Sequence, residues 1–348
     1  MEQISPLLIT IAEQNFIQKN SLAFLCILAG ILVMASLLLA LYAFNKFYKK
    51  THHWRNKFAF QSRFMPFSCN SYGNERKYDI VNLGSNPAMF GFFYADACGQ
   101  NWATGSQGLP MDFEILKSYH SHIKEGGVVL IPIMPFTAIS QYLKTKPAYW
   151  SDYYYMKFAS ILAPEQVNHL GNIKKNYLRM LKYPVFYNLK LVRFILRDIE
   201  KDRTLEISEQ SMQVLELEQD ANKWINGWLK EFDVRSMEGF YGGKFHSYIE
   251  EGVGILREMI DFCLDNKLKP VLITLPMTPY LDREFSEEFK QKLVKDFVSA
   301  ANVKNALFLD YWGKHVLMDP SLYMNSFFLN LRGRKIFTKR VLTDLKLI

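Results

Sequence analysis

The sequence lacks the short motifs that identify many classes of enzyme. It has no HExxH, no Walker-type glycine loop and no G-x-G-x-x-G, so the zinc-protease, P-loop and dinucleotide-binding signatures are excluded. The only cysteines are Cys26, Cys69, Cys98 and Cys263, and they form no CxxC pair or metal-ligand spacing. We therefore expect no metal, no cofactor and no disulfide framework, with all four thiols acting as small apolar side chains.

A second deficit is in acidic residues, of which there are 34 against 42 basic ones, for a formal net charge of +8. Such an excess favours anionic partners, namely lipid headgroups, acidic glycans or nucleic acid. Nucleic acid is not expected, because no recognisable binding module accompanies the charge. The 49% hydrophobic content is typical of a folded protein.

Residues 21–44 contain no charge at all. As a helix they would extend about 36 Å, enough to cross the hydrocarbon core of a bilayer. The 20 residues before them lack the basic start of a secretory signal, so the pattern predicts an uncleaved, single-pass transmembrane helix in a cell membrane.

The membrane orientation stays open at this level. Six cations follow the span within 45–64, whereas Lys19 is the only cation before it. The positive-inside rule places the large domain in the cytoplasm.

After a basic juxtamembrane linker, 45–76, the remaining chain, 77–348, alternates strands and helices. The apolar runs 128–133 and 271–276 are continuous, as in parallel strands covered on both faces. This alternation predicts an α/β fold, a three-layer sandwich with a mainly parallel sheet. The helix before the first of these runs is expected to end at Gly126 and Gly127.

The region of about 140–240 interrupts the alternation, contains no clear strand, and is predicted to be a helical insertion that caps the sheet edge. Its basic stretch, 174–197, interleaves cations with tyrosines and phenylalanines. This pattern suits a membrane surface or an anionic sugar polymer, or equally a helical hairpin with one solvated basic face.

The stretch "YDIVNLGSNPAMFGF", 78–92, runs from a strand into a Gly84-Ser85 turn, where many hydrolases hold a nucleophile. Together with "NWATG" at 101–105 and "FLNLRGRKIF" at 328–337, it resembles the SGNH/GDSL hydrolase superfamily. Within that superfamily the chain is similar to membrane-anchored proteins of bacterial surface polysaccharides, akin to alginate acetylation proteins and the D-alanine transfer protein of lipoteichoic acid. This resemblance implies an extracytoplasmic large domain, opposite to the side that the positive-inside rule gives, and both sides stay open.

The resemblance also implies that the hydrolytic residues are replaced. When the sequence is aligned with the family pattern, Asn86 stands at the position of the nucleophile. Phe327 and Phe328 stand at the positions of the acid and base near the C-terminal end of the pattern. Gly105 matches the oxyanion glycine, whereas the expected oxyanion asparagine falls near Met134 and Pro135. An amide has no acidic proton to give and a phenyl ring no lone pair to accept one, so hydrolysis is not expected.

We therefore expect an accessory protein without catalysis, acting in the synthesis, modification or export of a surface glycan. Its degenerate site of Gly84, Ser85, Asn86 and Gly105 is expected to retain binding. Two alternatives remain. One is an active acyl esterase or O-acyltransferase that uses Ser85, with His315 as base. The other is a structural partner of a membrane acyltransferase or polymerase.

Overall fold

The computed structural model describes residues 6–51, 54, 77–105, 107–145, 182–198 and 212–348. They belong to two compact units. One contains the long N-terminal helix and the segment 182–198, and the other contains the sheet. Part of the predicted insertion, 182–198, therefore clusters with the N-terminal helix.

The first unit is built on helix α1, Pro6–Tyr48. Its stretch Ala23–Tyr48 has a mean hydropathy of 2.8 and is long and apolar enough to cross a membrane. The helix extends beyond the uncharged run 21–44 at both ends. The polar end after residue 44 contacts the short helices of segment 182–198.

The second unit contains one five-stranded sheet among the described residues, with every neighbouring pair parallel and the order β2-β1-β3-β4-β5. The predicted α/β fold class is confirmed. The strands are β1 Tyr78–Asn82, β2 Gly99–Asn101, β3 Ile123–Pro132, β4 Lys269–Ile273 and β5 Leu307–Leu309.

The α-helices after α1 are short near the turns and long where they cover the sheet. They are α2 Asn86–Met89, α3 Leu109–Tyr119, α4 Pro184–Tyr187, α5 Val192–Asp198, α6 Val214–Glu231, α7 His246–Asp265, α8 Pro279–Asp282, α9 Glu287–Lys290, α10 Phe297–Ala301 and α11 Leu331–Asp344. A π-helical segment, Gln291–Asp296, joins α9 to α10, and a 3₁₀ helix spans Thr137–Thr145.

Strand β3 begins earlier than the sequence pattern indicated. Helix α3 ends at Tyr119, and Ile123 already pairs with Tyr78. Gly126 and Gly127 lie within β3, where the register against β1 shifts, and Gly126 has a φ of 73°. The expectation that these glycines end the helix is wrong, because they form a β-bulge, a position that also favours glycine.

The cysteines also differ from expectation. Cys98 is disulfide-bonded, so the reading of all four as bystanders is wrong for this residue. Cys26 and Cys263 are free, and burial raises the pKa of the Cys263 thiol to about 12. Cys69, the fourth cysteine, lies outside the described residues.

Two glycines of helix α7 provide a matched test of this packing. A Cβ at Gly252 would lie 2.8 Å from the Ala138 carbonyl oxygen, whereas a Cβ at Gly254 meets nothing within 4 Å. We expect Gly252→Ala to lower the free energy of unfolding by about 1–3 kcal/mol through overpacking. Gly254→Ala should raise it by about 0.5–1 kcal/mol, because alanine loses less entropy in a helix.

Chemical unfolding of the full chain in detergent, followed by circular dichroism, measures both changes. Equal changes in the free energy of unfolding for Gly252→Ala and Gly254→Ala would contradict the close approach of α7 to the 3₁₀ helix Thr137–Thr145.

Candidate functional site

A cavity of about 770 Å³ lies at the edge of the sheet where the carboxyl ends of the strands meet. The strand order reverses between β1 and β3, and ligands of open parallel sheets bind outside such a switch point. The segment 84–87 after β1, Pro132 at the end of β3 and the segment 134–137 after it line the cavity. Its volume is within the range of small-molecule pockets, about 300–1,000 Å³.

The turn after β1 requires glycine at position 84. Gly84 has a φ of 108°, and a Cβ there would lie 2.9 Å from both Ala88 Cβ and Pro132 Cγ. Ser85 is extended and precedes α2, whose first residue is Asn86 and whose helical φ is fixed by Pro87. The backbone therefore turns sharply, and Ser85 and Asn86 both line the cavity.

Two asparagine side chains hold this turn in place, that of Asn82, which is buried, and that of Asn101, which is half-buried. Asn82 Nδ2 donates to Asn101 Oδ1 at 3.0 Å, linking the ends of β1 and β2. Asn101 Nδ2 in turn donates to the carbonyl oxygens of Ala88 and Met89, each at 3.1 Å. Helix α2 is thus fixed to the sheet by side-chain bonds, and Asn86 is positioned with it.

Gly105, the residue matched to the oxyanion glycine, lies beside Asn86. A Cβ added at Gly105 would lie 2.8 Å from Asn86 Oδ1, so a larger residue there would displace the Asn86 amide. On the opposite side, the Met134 N–H donates to Thr137 Oγ1 at 2.8 Å, and Pro135 has no N–H to offer. The backbone after β3 therefore presents no free donor at these two positions.

The late loop, 325–330, is fixed by hydrogen bonds at both ends. Asn325 Oδ1 accepts from the N–H groups of Phe327 and Phe328, at 2.9 and 2.7 Å. Asn330 caps α11 by accepting from the Gly333 N–H at 2.9 Å. Ser326 donates through both its N–H and its hydroxyl to Asp220 of α6, at 3.0 and 2.6 Å.

This loop directs two phenylalanines into the cavity. Phe327 and Phe328 stack at 5.4 Å between ring centroids and are 7% and 9% exposed. Trp224 of α6 lies edge-on to both rings, at 5.6 and 5.3 Å. Trp228, one turn further along α6, contacts Phe327 at 5.4 Å. The site thus brings Asn86, Phe327 and Phe328 to one cavity, with an aromatic wall on the α6 side.

His315 is not part of this constellation. It is exposed in the 3₁₀ turn His315–Leu317, and none of the histidines that the structure describes lines the cavity. The carboxylates near it in sequence have other partners. Asp310 accepts from the Thr274 hydroxyl at 2.5 Å, and Asp319 accepts from the Ser321 N–H at 2.9 Å.

The cavity contains a carboxyl group that sequence reasoning missed, that of Asp112 on α3. Its Oδ1 accepts from the Gly84 N–H at 2.8 Å and from the side-chain amide of Gln107. Burial raises the pKa of Asp112 from 3.8 to about 7, although both hydrogen bonds act to lower it. The Asp112 carboxyl, which lies directly behind the Gly84 turn, therefore gains or loses its proton near neutral pH.

Gln107 is buried beside Asp112 and also lines the cavity. Its Oε1 accepts no hydrogen bond from the residues that the structure describes. The sequence does carry one signal for this cluster, because Asp112 occupies the apolar stripe of α3 formed by Leu109, Ile115, Leu116 and Tyr119. An acidic residue on a buried helical face is an indicator of a site.

Comparison with known proteins adds no family assignment. No family model matches the chain, and no curated protein matches it. Within the described part of the chain, no group of three or more His, Cys, Asp or Glu side chains is arranged to hold a metal ion.

The raised pKa of Asp112 makes stability depend on pH. The folded pKa lies above the unfolded value, so the stabilisation linked to the protonated carboxyl is complete below about pH 3.8 and is lost as the pH rises through about 7. At higher pH the loss is about 4 kcal/mol, since each pKa unit corresponds to about 1.4 kcal/mol.

We therefore expect the melting temperature of the wild type, relative to Asp112→Asn, to fall between pH 4 and pH 7 and then to level off. Asparagine keeps an acceptor for the Gly84 N–H and does not titrate, which isolates the charge. A difference between the two proteins that is independent of pH would contradict the burial of an ionisable carboxyl at this position.

Proposed function

We propose that the chain is a membrane-anchored protein of the SGNH hydrolase type that has lost hydrolysis and binds an acylated surface polysaccharide of a bacterium. In this role it is an accessory component in making, modifying or exporting the glycan. The observation that carries the proposal is the meeting of Asn86, Phe327 and Phe328 in one cavity. These three positions correspond to the nucleophile, acid and base of the resembled family.

The chemistry of the cavity supports the absence of hydrolysis. A serine hydroxyl needs a base that takes its proton and a third group that orients the base. Ser85 lines the cavity, but no described histidine does, and neither of the carboxyl groups that line it, those of Asp112 and Glu231, accepts a hydrogen bond from the Ser85 hydroxyl within the described residues. The Phe327 and Phe328 rings occupy the late-loop positions and have no group to exchange a proton.

The lining of the cavity supports a sugar ligand. The half-buried indole of Trp224 lines the cavity and suits the C–H groups of a pyranose ring, with Phe327 and Phe328 packed behind it as further apolar lining. Polar groups are few and specific, as in ligand pockets generally. The side chains of Ser85 and Asn86 make no hydrogen bond with other described residues, which leaves both to bind hydroxyl or acyl groups of a ligand.

The disulfide at Cys98 supports an extracytoplasmic position for the sheet unit. Disulfides persist in oxidising compartments and are rare in the cytosol. The positive-inside rule favours the opposite side, but it describes a bias in short flanking segments. A disulfide, which forms only under oxidising conditions, is the more specific indicator of the membrane side. A surface glycan is also found on the extracytoplasmic side.

Covalent labelling tests the absence of a working nucleophile. The full-length protein in detergent is treated with a fluorophosphonate probe alongside Ser85→Ala and an active SGNH esterase as positive control. We expect the wild type and Ser85→Ala to be labelled to the same low extent, about a hundredfold or more below the labelling of the control, because no base activates the hydroxyl. Labelling that Ser85→Ala abolishes would establish an active esterase instead.

The membrane side is tested by the redox state of the cysteines in intact cells. Thiols are alkylated before lysis, and peptides are then mapped without reduction. We expect Cys98 to be protected from alkylation and found in a disulfide-linked peptide. Cys263, buried in α7, should be alkylated only after unfolding. Alkylation of Cys98 as a free thiol would place the sheet unit in a reducing compartment.

A further inference from the structure

The polar end of α1 is joined to the segment 182–194 by specific hydrogen bonds within the first unit. Asn45 Oδ1 accepts from the Val185 N–H at 2.7 Å, and both residues are buried. Lys49 Nζ donates to the Lys182 carbonyl oxygen at 3.0 Å. These bonds explain a buried asparagine directly after an apolar run, and they fix the short helix α4 beside the end of α1.

Helix α4 buries one side and exposes large apolar groups on the other. Pro184 and Val185 face inward, while four side chains that we call the exposed aromatic patch face outward. The patch consists of Tyr183, Phe186, Tyr187 and Leu189, of which Tyr187 is 54% and Leu189 63% exposed. Large apolar side chains exposed together mark an interaction surface.

The position of the patch indicates its partner. The apolar stretch Ala23–Tyr48 would extend about 39 Å as a helix, longer than a hydrocarbon core of about 30 Å. Asn45 and Lys49 therefore fall at the level of the headgroups. Tyrosine is enriched at this depth, where its ring is buried and its hydroxyl stays hydrated.

Basic side chains accompany the patch. Lys182 lies over the Tyr183 ring at 5.5 Å, and Arg193 lies over the Phe194 ring at 4.8 Å. Lys190 follows Leu189 in the turn Leu189–Leu191. Cations next to exposed aromatic groups at the end of a membrane-spanning helix are the pattern that binds anionic lipid headgroups.

We propose that the exposed aromatic patch docks on the membrane surface, with its rings at the boundary of acyl chains and headgroups and with Lys182, Lys190 and Arg193 bound to anionic phospholipid. This inference rests on the membrane anchoring in the proposed function and is independent of the cavity. The continuity of the patch with α1, and its charge, favour a bilayer over a sugar polymer or a second copy of the chain.

Photocrosslinking to lipid tests the docking directly. The full chain is reconstituted in phosphatidylcholine vesicles with phosphatidylglycerol at about one part in four. Benzoylphenylalanine replaces Phe186 or Leu189, with Leu32 in the apolar run as positive control. Val303, an exposed apolar residue of the sheet unit, gives the background from random encounters.

We expect phospholipid adducts at Leu32, Phe186 and Leu189, with yields at the last two well above Val303. Adducts at Leu32 but none at Phe186 or Leu189 would overturn the docking and leave the anchoring intact. The absence of adducts at Leu32 would overturn the anchoring and the docking together. A protein–protein adduct at Phe186 or Leu189 in place of lipid would assign the patch to a second copy.

The role of charge is measured from the fraction of lipid adducts that contain phosphatidylglycerol. Its excess is taken relative to the fraction of phosphatidylglycerol in the vesicles. We expect the double variant Lys190→Gln and Arg193→Gln to lower this excess by on the order of tenfold, since two cations near the surface are removed. The matched variant Lys295→Gln and Lys304→Gln, with the same change of net charge in the sheet unit, should leave it unchanged. Equal effects of the two variants would overturn the assignment of an anionic headgroup site.

Discussion

The turn at Gly84 is the constraint on which the rest of the site depends. Its φ of 108° and the approach of Ala88 and Pro132 admit only glycine, and its N–H is bound by the buried Asp112 carboxyl. From this turn the chain enters α2, which carries Asn86 to the position beside Gly105. The bonds from Asn101 then hold α2 on the sheet, so β1, β2 and α3 all converge on one small loop.

The late loop, 325–330, is held in place by side-chain hydrogen bonds and carries two buried aromatic side chains. Its backbone is fixed by Asn325, by Asn330 and by the bonds from Ser326 to Asp220. Phe327 and Phe328 are then buried against Trp224, each contributing about 1.5–3 kcal/mol by removal from water. A buried acid and base at these two positions would carry a desolvation cost instead, so the aromatic pair favours stability of the folded loop.

The fold was largely predictable, because continuous apolar runs reveal strands covered on both faces. The start of β3 was not, since a glycine pair in a bulge looks like a helix terminus in sequence. Within the site, Ser85, Asn86, Phe327 and Phe328 were recognisable by position along the chain. Trp224 was not, because its role arises from contacts between distant elements, and Asp112 carried only the signal of an acidic residue within the apolar stripe of α3. The disulfide at Cys98 was missed for the same reason, as four dispersed cysteines give no pairing.

We propose that the cavity holds a sugar chain without cleaving its acyl groups. The most direct test is a titration of the full-length protein with a panel of O-acetylated oligosaccharides from bacterial surface polysaccharides, followed by tryptophan emission and by the mass of the recovered sugar. We expect at least one of them to give a saturable change in emission that Trp224→Leu removes, and to be recovered with every acetyl group in place. Loss of acetyl mass catalysed by the protein, or no saturable change in emission, would contradict it.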